Sequence, residues 1–124
     1  MSKRGIKLYL EDIKDSIRKI EKYTRGVNFE KFSKNEQIID AVIRNLSVIG
    51  EAVKNIPEGI KAKNSNVAWN EIKSMRNKVI HEYFGIDEEI LWKTIQDDLP
   101  VFKKQIVKIL SDIKVKKSVI IENN

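Results

Sequence analysis

Between its few helix breakers the chain repeats apolar residues at spacings of three and four, not two, and that period belongs to helices rather than strands. Only two prolines and five glycines interrupt 124 residues. Leu10, Ile13, Ile17 and Ile20 form one stripe, on a helix predicted from about Leu8 to Tyr23 that Gly26 can end. Ile39, Val42, Leu46, Ile49, Val53 and Ile56 form a second stripe, widened by Ala41, Val48 and Ala52 and stopped by Pro57. Ser33-Lys34-Asn35-Glu36 has the form of a capping box for this helix, with the Ser33 hydroxyl accepting from the Glu36 amide. Gly50 inside it costs about 1 kcal/mol relative to alanine, and a close helix crossing is the simplest reason to keep it. Asn64-Ser65-Asn66 marks a loop and cap before a third helix carrying Trp69, Ile72, Met75, Val79 and Ile80, which Gly85 closes. Asp87 caps a fourth helix, with Glu88 and Glu89 in its first turn and Ile90, Leu91, Trp92 and Ile95 as apolar contacts. Pro100 either opens a fifth helix or kinks a continuous one, along which Phe102, Ile106, Ile109, Leu110 and Ile113 extend the stripe. The expected fold is all-α: an antiparallel bundle of four to five helices, without a sheet. Residues 1–124 make one domain, with a basic tail free to fray from about Lys116.

Composition excludes several chemistries. There is no cysteine, so disulfides, zinc thiolate sites and thiol nucleophiles are out. The longest apolar runs are a few residues, too short to span a membrane. Met1 to Lys7 is polar and basic, unlike a signal peptide, and a cytoplasmic location is expected. The net charge of +6 favours an anionic partner such as nucleic acid. Basic excess gathers at Lys61 and Lys63, at Lys103-Lys104 and at Lys114 to Lys117. Elsewhere the two signs interleave, which equally fits solvated helix faces.

The chain has one histidine, His81, and it follows Arg76 by five positions, with Asn77 and Tyr83 close by. RNA cleavage by transesterification needs a group that moves a proton and a cation that meets the charge building on phosphorus. Histidine does the first near neutral pH, and the planar guanidinium of arginine does the second. The RNA supplies its own 2′-hydroxyl as nucleophile, so no metal or other cofactor is needed. On an ideal helix, however, five positions turn the side chains by about 140° and separate them by roughly 7.5 Å along the axis. Either the helix ends between Arg76 and His81, or two subunits of a homodimer supply the pieces across a shared cleft. Ordinary structural roles fit the same residues: His81 capping helix carbonyls, Asn77 facing solvent, and Tyr83 and Phe84 in the core.

Met75 to Gly85 is similar to the R-x4-H-x-Y signature of HepT-like proteins in the HEPN superfamily. The likeness extends along nearly the whole chain. Tyr9-Leu10-Glu11-Asp12-Ile13 resembles the opening helix of that family, and Asp40 to Leu46 with Ile49-Gly50-Glu51-Ala52 resembles its second. Trp69-Asn70-Glu71-Ile72, Met75-Arg76-Asn77 and His81 to Asp87 resemble its central block, and Trp92, Ile95 and Asp98-Leu99-Pro100 its last part. The resemblance implies a dimerising helical bundle with a metal-independent ribonuclease site in the dimer cleft. It also implies a toxin–antitoxin pair, in which a minimal nucleotidyltransferase silences the toxin by adding AMP to the motif tyrosine. Carried over by position, Arg76 and His81 are catalytic, Asn77 supports them, Tyr83 accepts AMP, and Arg44 adds positive charge to the RNA cleft. Two other functions compete. One is a non-catalytic helical dimer that binds RNA, a nucleotide or the nucleotidyltransferase. The other is a DNA-binding regulator, for which the sequence lacks a helix-turn-helix signature.

Overall fold

The computed structural model describes residues 3–81 and 85–122. Three long helices carry the architecture: α1 (Lys3–Thr24), α3 (Glu36–Lys54) and α8 (Leu99–Glu122). Four single-turn helices join them within the first hundred residues: α2 (Phe29–Ser33), α4 (Glu58–Lys63), α5 (Trp69–Lys73) and α6 (Met75–Val79). A two-residue strand pair, β1 (Ile80–His81) with β2 (Gly85–Ile86), and then α7 (Glu88–Lys93) lead through a π-helical turn at Thr94–Asp98 into α8. The fold is all-α as expected. The strand pair is too small to form a second layer.

α1 lies between α3 and α8. Its stripe of Leu10, Ile13, Ile17 and Ile20 is wholly buried, and Val42, Leu46, Ile49 and Val53 of α3 meet it. Burying each such side chain contributes about 1.5–3 kcal/mol. Phe102, Ile106, Ile109 and Leu110 of α8 close the other side. Glu21, near the end of α1, pairs with Lys103, near the start of α8, at 2.8 Å, so these two helices run antiparallel.

Several boundaries differ from those read in the sequence. α1 begins at Lys3, several residues before Leu8. Ser33 does not cap α3. It ends α2, where its hydroxyl donates to the Glu30 carbonyl, and Asn35 takes the cap instead by accepting from the Ile38 amide at 3.0 Å. A short asparagine side chain at the junction serves as well as the serine, and the serine is drawn into the preceding turn. α2 escaped the sequence reading because a single turn shows no period. Its Phe32 is buried, and Phe29 and Phe32 pack on Trp92 of α7 with ring centroids 6.2 and 4.9 Å away. α4 is likewise a single turn, after Pro57. The Asn64-Ser65-Asn66 turn does not cap the next helix through a side chain. Instead the Asn64 amide closes α4 on the Ile60 carbonyl, and its own carbonyl accepts from the indole N–H of Trp69 at 3.1 Å.

Pro100 is the second residue of α8, just after a π-helical turn that joins it to α7. With no N–H, it leaves the turn before it short of a hydrogen bond. The chain responds by widening: the Leu99 amide reaches back five residues to the Thr94 carbonyl, and α7 runs through into α8. α8 continues to Glu122, past Lys116.

Gly50 sits at a crossing of the kind its position predicts. A Cβ there would stand 3.2 Å from the Lys73 carbonyl oxygen, so α5 lies against the bare backbone of α3. Gly50→Ala should therefore give little or none of the roughly 1 kcal/mol that alanine gains inside a helix. Urea unfolding checks this, and a full gain would mean that the two backbones move apart freely.

Candidate functional site

The third helix foreseen in the sequence is broken at Ser74 into α5 and α6. Beyond the break the Asn77 amide donates to the Ser74 carbonyl, three residues back, at 3.0 Å. Met75 and Val79 of α6 point into the core, which leaves Arg76 and Asn77 exposed. Both line an open groove between α3 and the α5–α6 pair. Ser47, Gly50, Glu51 and Lys54 form its α3 wall, and Lys73 lies on the α5 side. Lys54, Lys73 and Arg76 have no ion-pair partner among the described residues. Lys54 and Lys73 were not singled out in the sequence. They sit on different helices, and only the Gly50 crossing brings them to one place.

α6 ends at Val79. The Val79 carbonyl accepts from the Asp87 amide at 2.6 Å, and the chain then becomes extended. Ile80 pairs with Ile86 and His81 with Gly85 in antiparallel register. The helix thus stops between Arg76 and His81, the first of the two arrangements that the spacing allowed. The 140° divergence of a continuous helix does not apply. Gly85 does not close a helix. It lies in β2 with φ +81, a left-handed backbone that glycine adopts without steric cost. Asp87 caps α7 as expected, its carboxylate accepting from the Ile90 amide at 3.0 Å. Tyr83, with Phe84, lies outside the described residues.

Arg44 faces elsewhere. It lines a second groove, between α1 and α3, with Asp12, Asp15, Lys19, Tyr23 and Asp40. Within one chain it does not share the groove of Arg76, and carboxylates outnumber cations around it. The Asp15 carboxyl there is held below the usual range by its hydrogen bonds to Arg18 and Lys19. No group of three or more side chains that could hold a metal ion stands together among the described residues. The Arg76 groove carries three cations to one carboxylate, a charge balance that favours an anion.

A family profile described as Ribonuclease HepT-like matches residues 13–109. The chain belongs to the ribonuclease HepT-like family. Over 107 residues it is 46% identical to a Thermococcus cleftensis protein named "Probable ribonuclease HepT", covering 86% of this chain and 97% of that one. A Methanocaldococcus jannaschii protein that carries an RNase name is 42% identical over 116 residues, 94% of this chain and 96% of its own. A third relative, from Caldanaerobacter subterraneus and also named as an RNase, is 42% identical over 106 residues, 86% of this chain and 95% of its own. No solved structure matches the chain. The HepT-like match spans all of α3 to α7, and so the whole groove and the strand pair.

In this HepT-like chain the placement of His81 depends on the left-handed residue opposite it. Gly85→Ala should cost about 1 kcal/mol or more, because a Cβ in that conformation crowds the following carbonyl. Chemical denaturation measures the loss, and an unchanged midpoint would show that the strand pair adjusts without strain.

Proposed function

We propose that this chain is a metal-independent endoribonuclease, the toxin of a toxin–antitoxin pair, acting in the cytoplasm as a symmetric homodimer. The observation that carries this reading is the end of α6 between Arg76 and His81, beside a groove whose cations are unpaired among the described residues. Membership of a ribonuclease family, with relatives named as RNases, supports it.

In the proposed reaction the 2′-oxygen of the RNA attacks the adjacent phosphorus and the bond to the 5′-oxygen breaks. The products end in a 2′,3′-cyclic phosphate and a 5′-hydroxyl. His81 takes the proton from the 2′-hydroxyl or delivers one to the leaving oxygen, work that suits a group titrating near neutral pH. Two copies in a dimer cleft supply both transfers. Arg76 holds the non-bridging phosphate oxygens as their charge grows, through a fork that matches their geometry. Asn77, one residue on, supports the arginine as a neutral hydrogen-bonding neighbour. Single-stranded RNA is the expected substrate class, because its bases and sugar edges are open to a shallow groove.

The proposed antitoxin is a minimal nucleotidyltransferase that moves AMP from ATP to Tyr83. The phenolic oxygen attacks the α-phosphorus, pyrophosphate leaves, and the phenolic proton goes to solvent. The new phosphodiester brings a negative charge close in sequence to His81, where it can pair with Arg76 and repel RNA.

His81→Ala and Arg76→Ala should each lower RNA cleavage by about a hundredfold or more with the helical circular dichroism unchanged. Wild-type activity should persist in EDTA, and light scattering should give a dimer. Cleavage that vanishes in EDTA and returns with magnesium would overturn the mechanism, as would an unchanged rate in His81→Ala. Tyr83→Phe should still cleave RNA yet resist modification by the nucleotidyltransferase and ATP. AMP found by mass spectrometry on the Tyr83→Phe protein, with activity still quenched, would remove Tyr83 as the switch.

A further inference from the structure

Resting on that ribonuclease reading, we propose that Lys54 of α3 and Lys73 of α5 form a phosphate-binding step beside Arg76, which seats the RNA backbone next to the scissile bond. The bond itself would lie with Arg76 and His81, and the two lysines would hold a neighbouring phosphate.

The placement comes from the helix crossing. Lys54 follows Gly50 by one helical turn, on the same side of α3. At Gly50 the missing side chain lets the Lys73 backbone come within van der Waals distance of α3. The two lysines therefore border one groove although nineteen positions part them in sequence. Both are exposed, and neither has an ion-pair partner among the described residues. Among the described residues Lys19, Lys34, Lys61 and Lys103 each pair with a carboxylate, and Lys54 and Lys73 are among the lysines left free for an outside anion. Among the described residues Glu51 is the single carboxylate lining the groove, one turn before Lys54, and it makes no such bridge. From Ser47 to Lys54 the α3 wall runs about 10 Å, longer than one phosphate requires. An ammonium on a flexible stem is a point charge without a fixed fork. It suits a phosphate that must be held in place, while the reacting phosphate calls for the directional guanidinium of Arg76.

The probe is a short fluorescent single-stranded RNA with 2′-O-methyl sugars. It has no free 2′-hydroxyl and cannot be cleaved, so binding is read apart from chemistry. Affinity is measured across salt concentrations for the wild type, for Lys54→Ala/Lys73→Ala, for Lys54→Arg/Lys73→Arg and for Lys14→Ala/Lys22→Ala on α1. Each lost phosphate contact should lower the slope of log affinity on log salt by about 0.7, so the groove double-alanine protein should lose about 1.4. The arginine pair should keep the slope, and so should the α1 pair. On unmodified RNA the double-alanine protein should raise KM with little change in kcat. A slope unchanged in Lys54→Ala/Lys73→Ala, or lowered equally in the α1 pair, would overturn the phosphate step. If the wild type cleaves RNA in that case, the ribonuclease reading survives. If instead the slope falls as expected and the wild type never cleaves, the phosphate step stands and the ribonuclease reading fails.

Discussion

At the crossing of α3 and α5, backbone meets backbone. Gly50 presents no side chain, and the Lys73 carbonyl occupies the space that a Cβ would fill. Two helices this close leave little freedom in the direction of the chain that follows. The break at Ser74 comes one residue later, and it turns α6 so that Met75 and Val79 reach the core while Arg76 and Asn77 remain beside α3. A larger residue at position 50 would hold α5 away and widen the groove that carries the cations. The thermodynamic disadvantage of a mid-helix glycine is thus exchanged for the geometry of the candidate site.

Aromatic contacts brace this arrangement from both sides. Trp69 opens α5 and meets Phe102 of α8 edge to face, with its indole N–H bound to the Asn64 carbonyl. Trp92 of α7 rests on Phe29 and Phe32 of α2. Between these two anchors lie α6 and the strand pair. Asp87 links α6 to α7: its amide binds the Val79 carbonyl at the end of α6, and its carboxylate caps α7. Such linked contacts hold short elements that would not be stable alone.

Much of the fold was legible in the sequence because long amphipathic helices announce themselves by period. The stripes of α1, α3 and α8 are buried for the most part, but Val48 of α3 and Ile90 of α7, both expected in apolar contact, are exposed and Ile113 is half-buried. The role of Gly50 follows from its position in an otherwise regular helix. The short elements were not legible. One turn of α2 or α4 has no period, and the rivalry between Ser33 and Asn35 for the α3 cap is decided by where α2 ends. For the site, the sequence identified Arg76 and His81 and posed their angular conflict. It could not choose the helix break that resolves the conflict, because Val79 and Ile80 are equally at home in a helix tail or a strand. Lys54 and Lys73 stayed hidden for a different reason: their proximity is a tertiary fact with no local signature. Arg44, drawn in by its motif, turns toward another groove because its position on α3 faces α1.

The π-helical turn at Thr94–Asp98 sets the helical phase between the two halves of the last long helix. A turn of this kind holds one more residue than an α-helical turn of equal height, as though a single codon had been inserted there. Losing one residue from it would return the turn to α-helical geometry and leave α7 and α8 nearly in phase, because the wide turn has already absorbed the extra residue. Trp92 would stay on Phe32 and Leu91 in the core, whereas one residue lost from the regular part of α8 would turn everything upstream of it by about 100°. The turn is therefore a place in the long helix where one residue can be lost without moving the core.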